Sequence, residues 1–304
     1  MKLNELLFEK NRIVNSPCNG KGICGKCKVK LKDANAHISD RDREIFTIRE
    51  LAEGYRLACQ YEVEASFDVD TVDAVDNNNQ DIEVLTINSS DRTYIYNKEE
   101  KGKNSIAVDI GTTTIAVCLV SNGEVIDSIG SVNNQNRFGA DIISRIEAAN
   151  AGMLEIMKRL VIENINGLIE QLCNRNNCQY ESLNSIVVAG NTVMLHILQG
   201  LPLDGMAKYP FEVVSMEKVI SSADIVFKKS ECKNVAVILL PGIAPFVGAD
   251  ILSGILYLKM NSIKQEENSL FVDLGTNGEM AIISNGRIYT TSTAAGPAFE
   301  GINI

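Results

Sequence analysis

Two distant stretches of this chain nearly repeat each other. Ser105–Gly123 reads SIAVDIGTTTIAVCLVSNG, and Ser269–Gly286 reads SLFVDLGTNGEMAIISNG. Asp109 aligns with Asp273, Gly111 with Gly275, Thr112 with Thr276, and Asn122-Gly123 with Asn285-Gly286 once a one-residue gap is allowed. Each copy is an apolar strand, a tight Gly/Thr turn, a second apolar strand and an Asn-Gly hairpin turn. Two copies so far apart imply a duplicated fold and not a stacked array.

The turn itself carries chemistry. A strand ends near Asp109, Gly111 permits close backbone approach, and Thr112, Thr113 and Thr114 offer hydroxyls and N–H groups. That combination suits a phosphate, with the aspartate placed for a water on Mg²⁺. The second copy supplies Asp273, Gly275, Thr276, Asn277 and Gly278, and adds Glu279. One copy alone would read equally well as an ordinary β-turn. A pair of copies on buried strands favours a paired phosphate clamp.

Strands and helices alternate between the copies. Glu124–Gly130 reads as a third strand, and Phe138 to about Asn174 as largely helical with a break at Gly152. Ser185–Ala189 is a buried strand, GNTVMLHIL opens a helix, Val235–Leu240 is another strand, and Ala249–Leu258 is a helix. This is an α/β region. Before it, Asp70 to Lys103 is rich in acidic residues and Asn and reads as a linker.

The N-terminal region is different. Leu3, Leu6, Leu7 and Ile13 suggest a short helix, Lys28–Leu31 a strand, and Ser39–Asp42 and Thr47–Glu50 two capped helix starts, with Gly54 ending the second. Between them lies SPCNGKGICGKCKVKL, with Cys18, Cys24 and Cys27 in C-x5-C-x2-C spacing; YRLACQ then delivers Cys59. Four thiolates suit a 2Fe–2S cluster. Gly20, Gly22 and Gly25 let backbone N–H groups point at sulfur. Structural zinc sites close with a second CxxC or a His pair, whereas Cys59 stands alone. The spacing therefore favours a cluster over zinc.

Charge and hydropathy exclude other classes. The 304-residue chain carries a net charge of −10, which argues against a nucleic-acid partner. The most apolar window, Val235–Leu258, is interrupted by Pro241, Gly242, Pro245, Gly248, Asp250 and Gly254, so it is no membrane span. MKLNELLFEKNR lacks the apolar core of a secretory signal. A cytoplasmic protein is expected, and in that reducing compartment its eight cysteines are not structural disulfides.

PCNGKGICGKCKV followed by YRLACQ resembles the 2Fe–2S ferredoxin domain of the reductive activators of corrinoid proteins, and its first-gap length is similar to that of adrenodoxin-like ferredoxins. The two turns resemble the phosphate-1 (Asp109–Thr114) and phosphate-2 (Asp273–Glu279) motifs of the superfamily of acetate and sugar kinases, Hsp70 and actin. NRFGADIISRI, VVAGNTVMLHIL, PGIAPFVGADI and STAAGPAFEG narrow the resemblance to the corrinoid-activator branch, over nearly the whole chain. The resemblance implies an α+β, β-grasp ferredoxin-like domain over residues 1–70, a linker over 71–104, a first RNase H-like ATPase lobe over 105–262 and the start of a second lobe over 263–304. Against the family pattern, the hairpin before the first helix and the remainder of the second lobe are missing, so a chain truncated at both ends is expected.

The implied activity is that of an ATP-dependent reductase. Cys18, Cys24, Cys27 and Cys59 would hold the cluster, which takes an electron from a cellular donor. Asp109, Asp273 and Glu279 would be catalytic, and Gly111, Thr112, Thr113, Thr114, Gly275, Thr276 and Asn277 would bind ATP with Mg²⁺. The partner would be a corrinoid protein or corrinoid-dependent methyltransferase, whose Co(II) is returned to Co(I). The rival is an iron–sulfur electron carrier with a non-functional nucleotide lobe. A small-molecule kinase is a third reading, but it leaves the cysteine loop without a role. Cys173 and Cys178 read as free thiols, Cys118 and Cys232 as packed apolar groups, and His196 as a satisfied structural histidine. Asn191 and Thr192 occupy a plausible ligand-facing junction, Asp250 reads equally as a helix-start charge or a cleft residue near Mg²⁺, and Arg137 reads as a solvated charge.

Overall fold

The computed structural model describes residues 1–10, 12, 14, 16, 18, 20–33, 35–74, 103–261 and 268–295. The chain divides into two compact units, Met1–Gln80 with Gln135–Ala140 and Asp81–Asn134 with Asp141–Ile304.

In the first unit, α1 (Leu3–Glu9) buries Leu3, Leu6 and Leu7, the i, i+3, i+4 stripe of an amphipathic helix. β1 (Lys28–Leu31) turns Val29 and Leu31 inward and pairs antiparallel with β2 (Tyr55–Leu57) and with β3 (Val72–Ala74). The sheet order is β2-β1-β3. β3 carries this unit past residue 70, where composition placed the start of a linker. A three-residue strand is too short to show a period, so only its pairing reveals it. Residues 75–102 of that linker, and Ile13 in the proposed first helix, lie outside the described residues.

α2 (Asp40–Ile45) and α3 (Ile48–Ala52) are too short to persist alone. Reciprocal capping boxes hold both, Ser39 with Asp42 and Thr47 with Glu50. Arg56, the middle residue of β2, is wholly buried. Its guanidinium donates to the carbonyls of Ala36 (2.5 Å), His37 (2.9 Å), Leu51 (3.0 Å) and Tyr55 (2.7 Å). Asp42 Oδ1 accepts the Leu57 N–H at 2.7 Å, tying α2 to the strand that leads into Cys59.

The second unit is built on a six-stranded sheet of order β6-β5-β4-β7-β9-β8. β4 (Asn104–Ile110), β5 (Thr114–Ser121) and β6 (Glu124–Val132) form an antiparallel meander. β7 (Ser185–Gly190) lies parallel to β4, and β9 (Ala236–Leu239) parallel to β7. β8 (Val219–Ser222) is an antiparallel edge strand that the sequence did not reveal, being short and without alternation. The four-residue α7 (Ala223–Val226) follows it.

The helical stretch expected from Phe138 begins instead at Ile142. Asn134–Phe138 forms a 3-10 turn, and Asp141 caps α4 (Ile142–Ala148) by accepting the Ser144 N–H. The expected break falls at Gly152, with φ of 95° inside a π-turn, before α5 (Leu154–Arg175). α6 (Thr192–Gln199) starts from the cap Asn191, whose side chain accepts the Met194 N–H. α8 (Ala249–Asn261) packs Ile251 and Ile255 against Ala281, Ile283 and Phe271 of a second meander. That meander is β10 (Ser269–Leu274), β11 (Asn277–Ser284) and β12 (Arg287–Ala294). Its Asn285-Gly286 turn has φ values of 48° and 73°, close to the 52° and 83° of Asn122-Gly123. The sequence echo is thus a repeat in backbone conformation. Among the described residues no helix is long and apolar enough to cross a membrane.

Candidate functional sites: a thiol cradle and an acid-lined pair of turns

In the first unit the four cysteines gather as two pairs. Cys27 Sγ lies 3.2 Å from Cys59 Sγ, and Cys18 and Cys24 lie close enough to shift each other's titration. Cys18 is half-buried, which raises its thiol, but the N–H groups of Ile23, Cys24 and Gly22 and the neighbouring Cys24 side chain outweigh burial and leave it lowered. Cys24 ends up raised, chiefly by burial. Cys59 is drawn down to about 6, first by the Cys27 hydrogen bond, then by Gln60 and the Gly22 N–H against the opposing effect of burial. Cys27 moves upward in consequence. The Gln60 amide also donates to the Gly20 carbonyl at 2.7 Å, so it fastens the loop to Cys59.

Gly22 shows why the loop is glycine-rich. Its φ is 72°, and a Cβ there would lie 2.8 Å from Gln60 Cδ. Two pairs of thiols with N–H groups aimed at sulfur match the donor set of a 2Fe–2S cluster, in which four thiolates serve two irons. Pro17 and Asn19 of this loop lie outside the described residues.

The second unit brings the two Asp-Gly-Thr turns together. Thr113 Oγ1 and Thr276 Oγ1 are 2.7 Å apart, joining the two copies through a hydroxyl pair. A Cβ on Gly111 would sit 2.7 Å from the Thr114 carbonyl oxygen, so the turn closes only around glycine. Thr112, Thr113 and Thr276 are buried. Asn277 and Thr114 each begin the strand after their turn, and the Gly275 N–H donates to the Asn277 carbonyl at 2.9 Å.

Four carboxyls converge on these turns. Asp109 is open to water yet crowded by protein, and that crowding, with Asp250 and Asp273 nearby, pushes it up to about 7. Burial, then Asp273, raises Asp250 to about 6 although the Ile251 N–H holds its Oδ1 at 2.8 Å. Glu279 is raised to about 8 by burial, then by Asp250 and Asp273. Strand register explains the last effect, because Glu279 sits directly opposite Asp273, whereas the equivalent of Glu279 in the first copy is Ala116, opposite Asp109. Mutual repulsion of this kind marks a place that favours a cation. Among the described residues these four do not crowd their oxygens within 4.8 Å of one another.

Supporting residues were less visible in sequence. Arg145 is fully buried on α4 and donates to the Thr112 carbonyl and to Met194 Sδ. The one available signal was an arginine on the apolar stripe of Ile142 and Ile146. Asn133 donates to the Gly111 carbonyl at 2.8 Å, and Asn191 Nδ2 to Thr112 Oγ1 at 3.1 Å. Asn191 thus supports the turn from behind, and Thr192 Oγ1 donates to the Ala244 carbonyl. His196 departs from a fully satisfied histidine. Nδ1 bonds the Thr192 carbonyl, while buried Nε2 has no hydrogen-bond partner among the described residues, and burial lowers the ring's pKa.

A ferredoxin-type thiol cradle, followed by an RNase H-like lobe and a repeat of its first turn, defines a ferredoxin-like domain joined to a domain of the actin and Hsp70 fold. The family described as "2Fe-2S iron-sulfur cluster binding domain" matches residues 2–64, "RACo middle region" matches 104–263, and "C-terminal domain of RACo the ASKHA domain" matches 267–304. The middle-region match spans more than half of the chain, and the chain belongs to the RACo family.

The "Corrinoid activation enzyme RamQ" of Eubacterium limosum is 30% identical over 217 residues, 68% of this chain and 35% of that protein. The "[Co(II) methylated amine-specific corrinoid protein] reductase" of Methanosarcina barkeri is 27% identical over 210 residues, 66% of this chain and 37% of that protein. The solved structure titled "Reductive activator for corrinoid,iron-sulfur protein" superposes with a TM-score of 0.61 at 25% identity, over 99% of this chain and 61% of that one. The chain spans little more than a third of the length of the two curated relatives.

Proposed function

We propose that this chain acts in ATP-dependent reductive activation of a corrinoid protein. The observation that carries the proposal is the presence, on one chain, of a paired-thiol cradle and a carboxyl-lined pair of phosphate turns. Cys18 and Cys24 would hold one iron of a 2Fe–2S cluster, and Cys27 and Cys59 the other. When bound, the cluster supplies one-electron transfer to the Co(II) corrinoid of a partner, with a cellular reductant as the source. Gln60 and the Gly22 N–H hold negative charge at Cys59 and so bear on the potential. Ile23, 59% exposed beside Cys24, offers the partner an apolar contact next to the thiols.

In the second unit the turns of Gly111–Thr114 and Gly275–Asn277 would donate to the phosphates of ATP. Asp109, Asp250 and Asp273 would orient a hydrated Mg²⁺. Neutralising their charge lowers the pKa of Glu279, which then accepts a proton at neutral pH. Nucleotide and partner are coupled to the extent that the two turns are held differently with and without phosphate.

The test is anaerobic reconstitution followed by calorimetry and a cobalt assay. Two irons and two sulfides per chain, Mg-ATP binding, and nucleotide-stimulated formation of Co(I) on an added Co(II) corrinoid protein are expected. A chain that holds the cluster yet binds no nucleotide at millimolar concentration is an electron carrier instead. Stoichiometric zinc without visible absorbance would overturn the cluster assignment.

A further inference from the structure

Away from both sites, a second pair of thiols meets at the end of α5. Asn177 adopts a left-handed φ of 51° just after the helix, and the Cys178 N–H reaches back to the Cys173 carbonyl at 3.0 Å. This is the six-to-one bond of a Schellman motif, which sets the residue two past the cap against one in the last turn. Here both of those residues are cysteines, so the backbone turn sets their side chains against each other. Cys173 is buried and Cys178 half-buried. The chain after Cys178 is anchored as well, because buried Tyr180 donates its hydroxyl to Asn166 Oδ1 at 3.0 Å. The two cysteines are thus fixed on neighbouring positions of one turn, anchored from both directions.

We propose that Cys173 and Cys178 form a redox-active dithiol that exchanges with small disulfides carrying no net negative charge. Cys178, the more accessible sulfur, attacks the disulfide as its thiolate. One S–S bond breaks, a mixed disulfide forms, and the first small thiol leaves and takes a proton. Cys173 then attacks Cys178 Sγ within the mixed disulfide and expels the second small thiol. The net change oxidises two protein thiols to one disulfide and reduces one small disulfide to two thiols. Backbone preorganisation makes the second step intramolecular and favours closure over a lingering adduct.

The surroundings choose the disulfide. Burial, then the neighbouring Cys178, raises the Cys173 thiol well above the ordinary range, and Glu181 and Glu170 add to it. Glu181 also stands with Glu231 beside Cys232, their ligand atoms within 4.8 Å. Lys229 pairs with Glu170 and also bears on Glu231 and Cys232, but the charged side chains that bear on Cys173 itself are the acidic Glu181 and Glu170. A dianionic disulfide is repelled there, and a cationic one is drawn in.

The experiment uses the full chain with its cluster assembled, incubated with cystamine or with oxidised glutathione, then alkylated and digested. Trypsin cuts after Arg175, between the two cysteines, so the disulfide appears as two peptides joined. Cystamine is expected to give that joined species with two aminothiols released per chain. Oxidised glutathione is expected to react roughly tenfold more slowly at low salt. Cys173→Ser is expected to stop at a mixed disulfide on Cys178, and Cys178→Ser to leave Cys173 alkylatable. The wild-type peptide map stands even if Cys173→Ser folds poorly. The proposal is overturned if both wild-type cysteines remain alkylatable, if wild-type Cys178 retains the aminothiol without closing, or if oxidised glutathione reacts as fast as cystamine.

Discussion

Replacing Glu279 by Gln removes a charge from the acid cluster while keeping shape and hydrogen-bonding capacity. Glu279 is 7% exposed and titrates at about 8 instead of its ordinary 4.5. The unfolded chain ionises near 4.5 and the folded one only near 8, so folding stability falls as pH rises between those values and is fully restored below them. That difference corresponds to roughly 5 kcal/mol. Redistribution of protons among Asp109, Asp250 and Asp273 leaves about 3 kcal/mol as the expected gain for Glu279→Gln above pH 8. In a unit of this size that is about 6–12 °C in the second unit's thermal transition. The assay is thermal denaturation followed by circular dichroism, in EDTA, at acidic and alkaline pH. The gap is expected to be small at low pH, to open through neutrality and to level off. Parallel curves, or a variant less stable than wild type at alkaline pH, would refute the electrostatic reasoning. The same variant is expected to bind Mg-ATP more weakly, so that stability rises as function is lost.

Arg56→Met leaves the carbonyls of Ala36, His37, Leu51 and Tyr55 without their donor and is expected to cost the first unit about 4 kcal/mol, read as an earlier urea midpoint for loss of visible absorbance. Arg56→Lys recovers only part of it, since an ammonium cannot span four acceptors. Gly22→Ala strains a φ of 72° and drives Gln60 from Cys59; reconstitution is expected to yield less cluster, and voltammetry a shifted potential. Thr276→Val removes one hydroxyl of the buried pair with Thr113 and is expected to cost the second unit about 1 kcal/mol, roughly 2–4 °C in melting temperature, read by thermal denaturation.

Some of this was legible from residues alone. The Asp-Gly-Thr repeat announced itself because both copies use the same residues to solve the same backbone problem, and the Asn-Gly turns adopt matching positive φ values. The capping boxes at Ser39 and Thr47 were readable because their partners lie three residues away. What sequence hid was non-local. Arg145 serves Thr112 across thirty-three positions, and β3 exists only because β1 is there to pair with it. Asp250 could not be placed from its own sequence surroundings, because its burial and its proximity to Asp273 are set by residues distant in the chain.

The hydroxyl pair of Thr113 and Thr276 sets a limit on how many protons the two turns can offer. Two hydroxyls own two protons, and while the oxygens stand 2.7 Å apart one of those protons is spent inside the pair. An anion arriving at the turns therefore finds one fewer donor than the residue count suggests. Parting the two strands' ends releases that proton and adds a donor at the moment of separation. If the turns take phosphate as proposed, phosphate would reward their open arrangement, and by reciprocity whatever opens them would raise the affinity for phosphate.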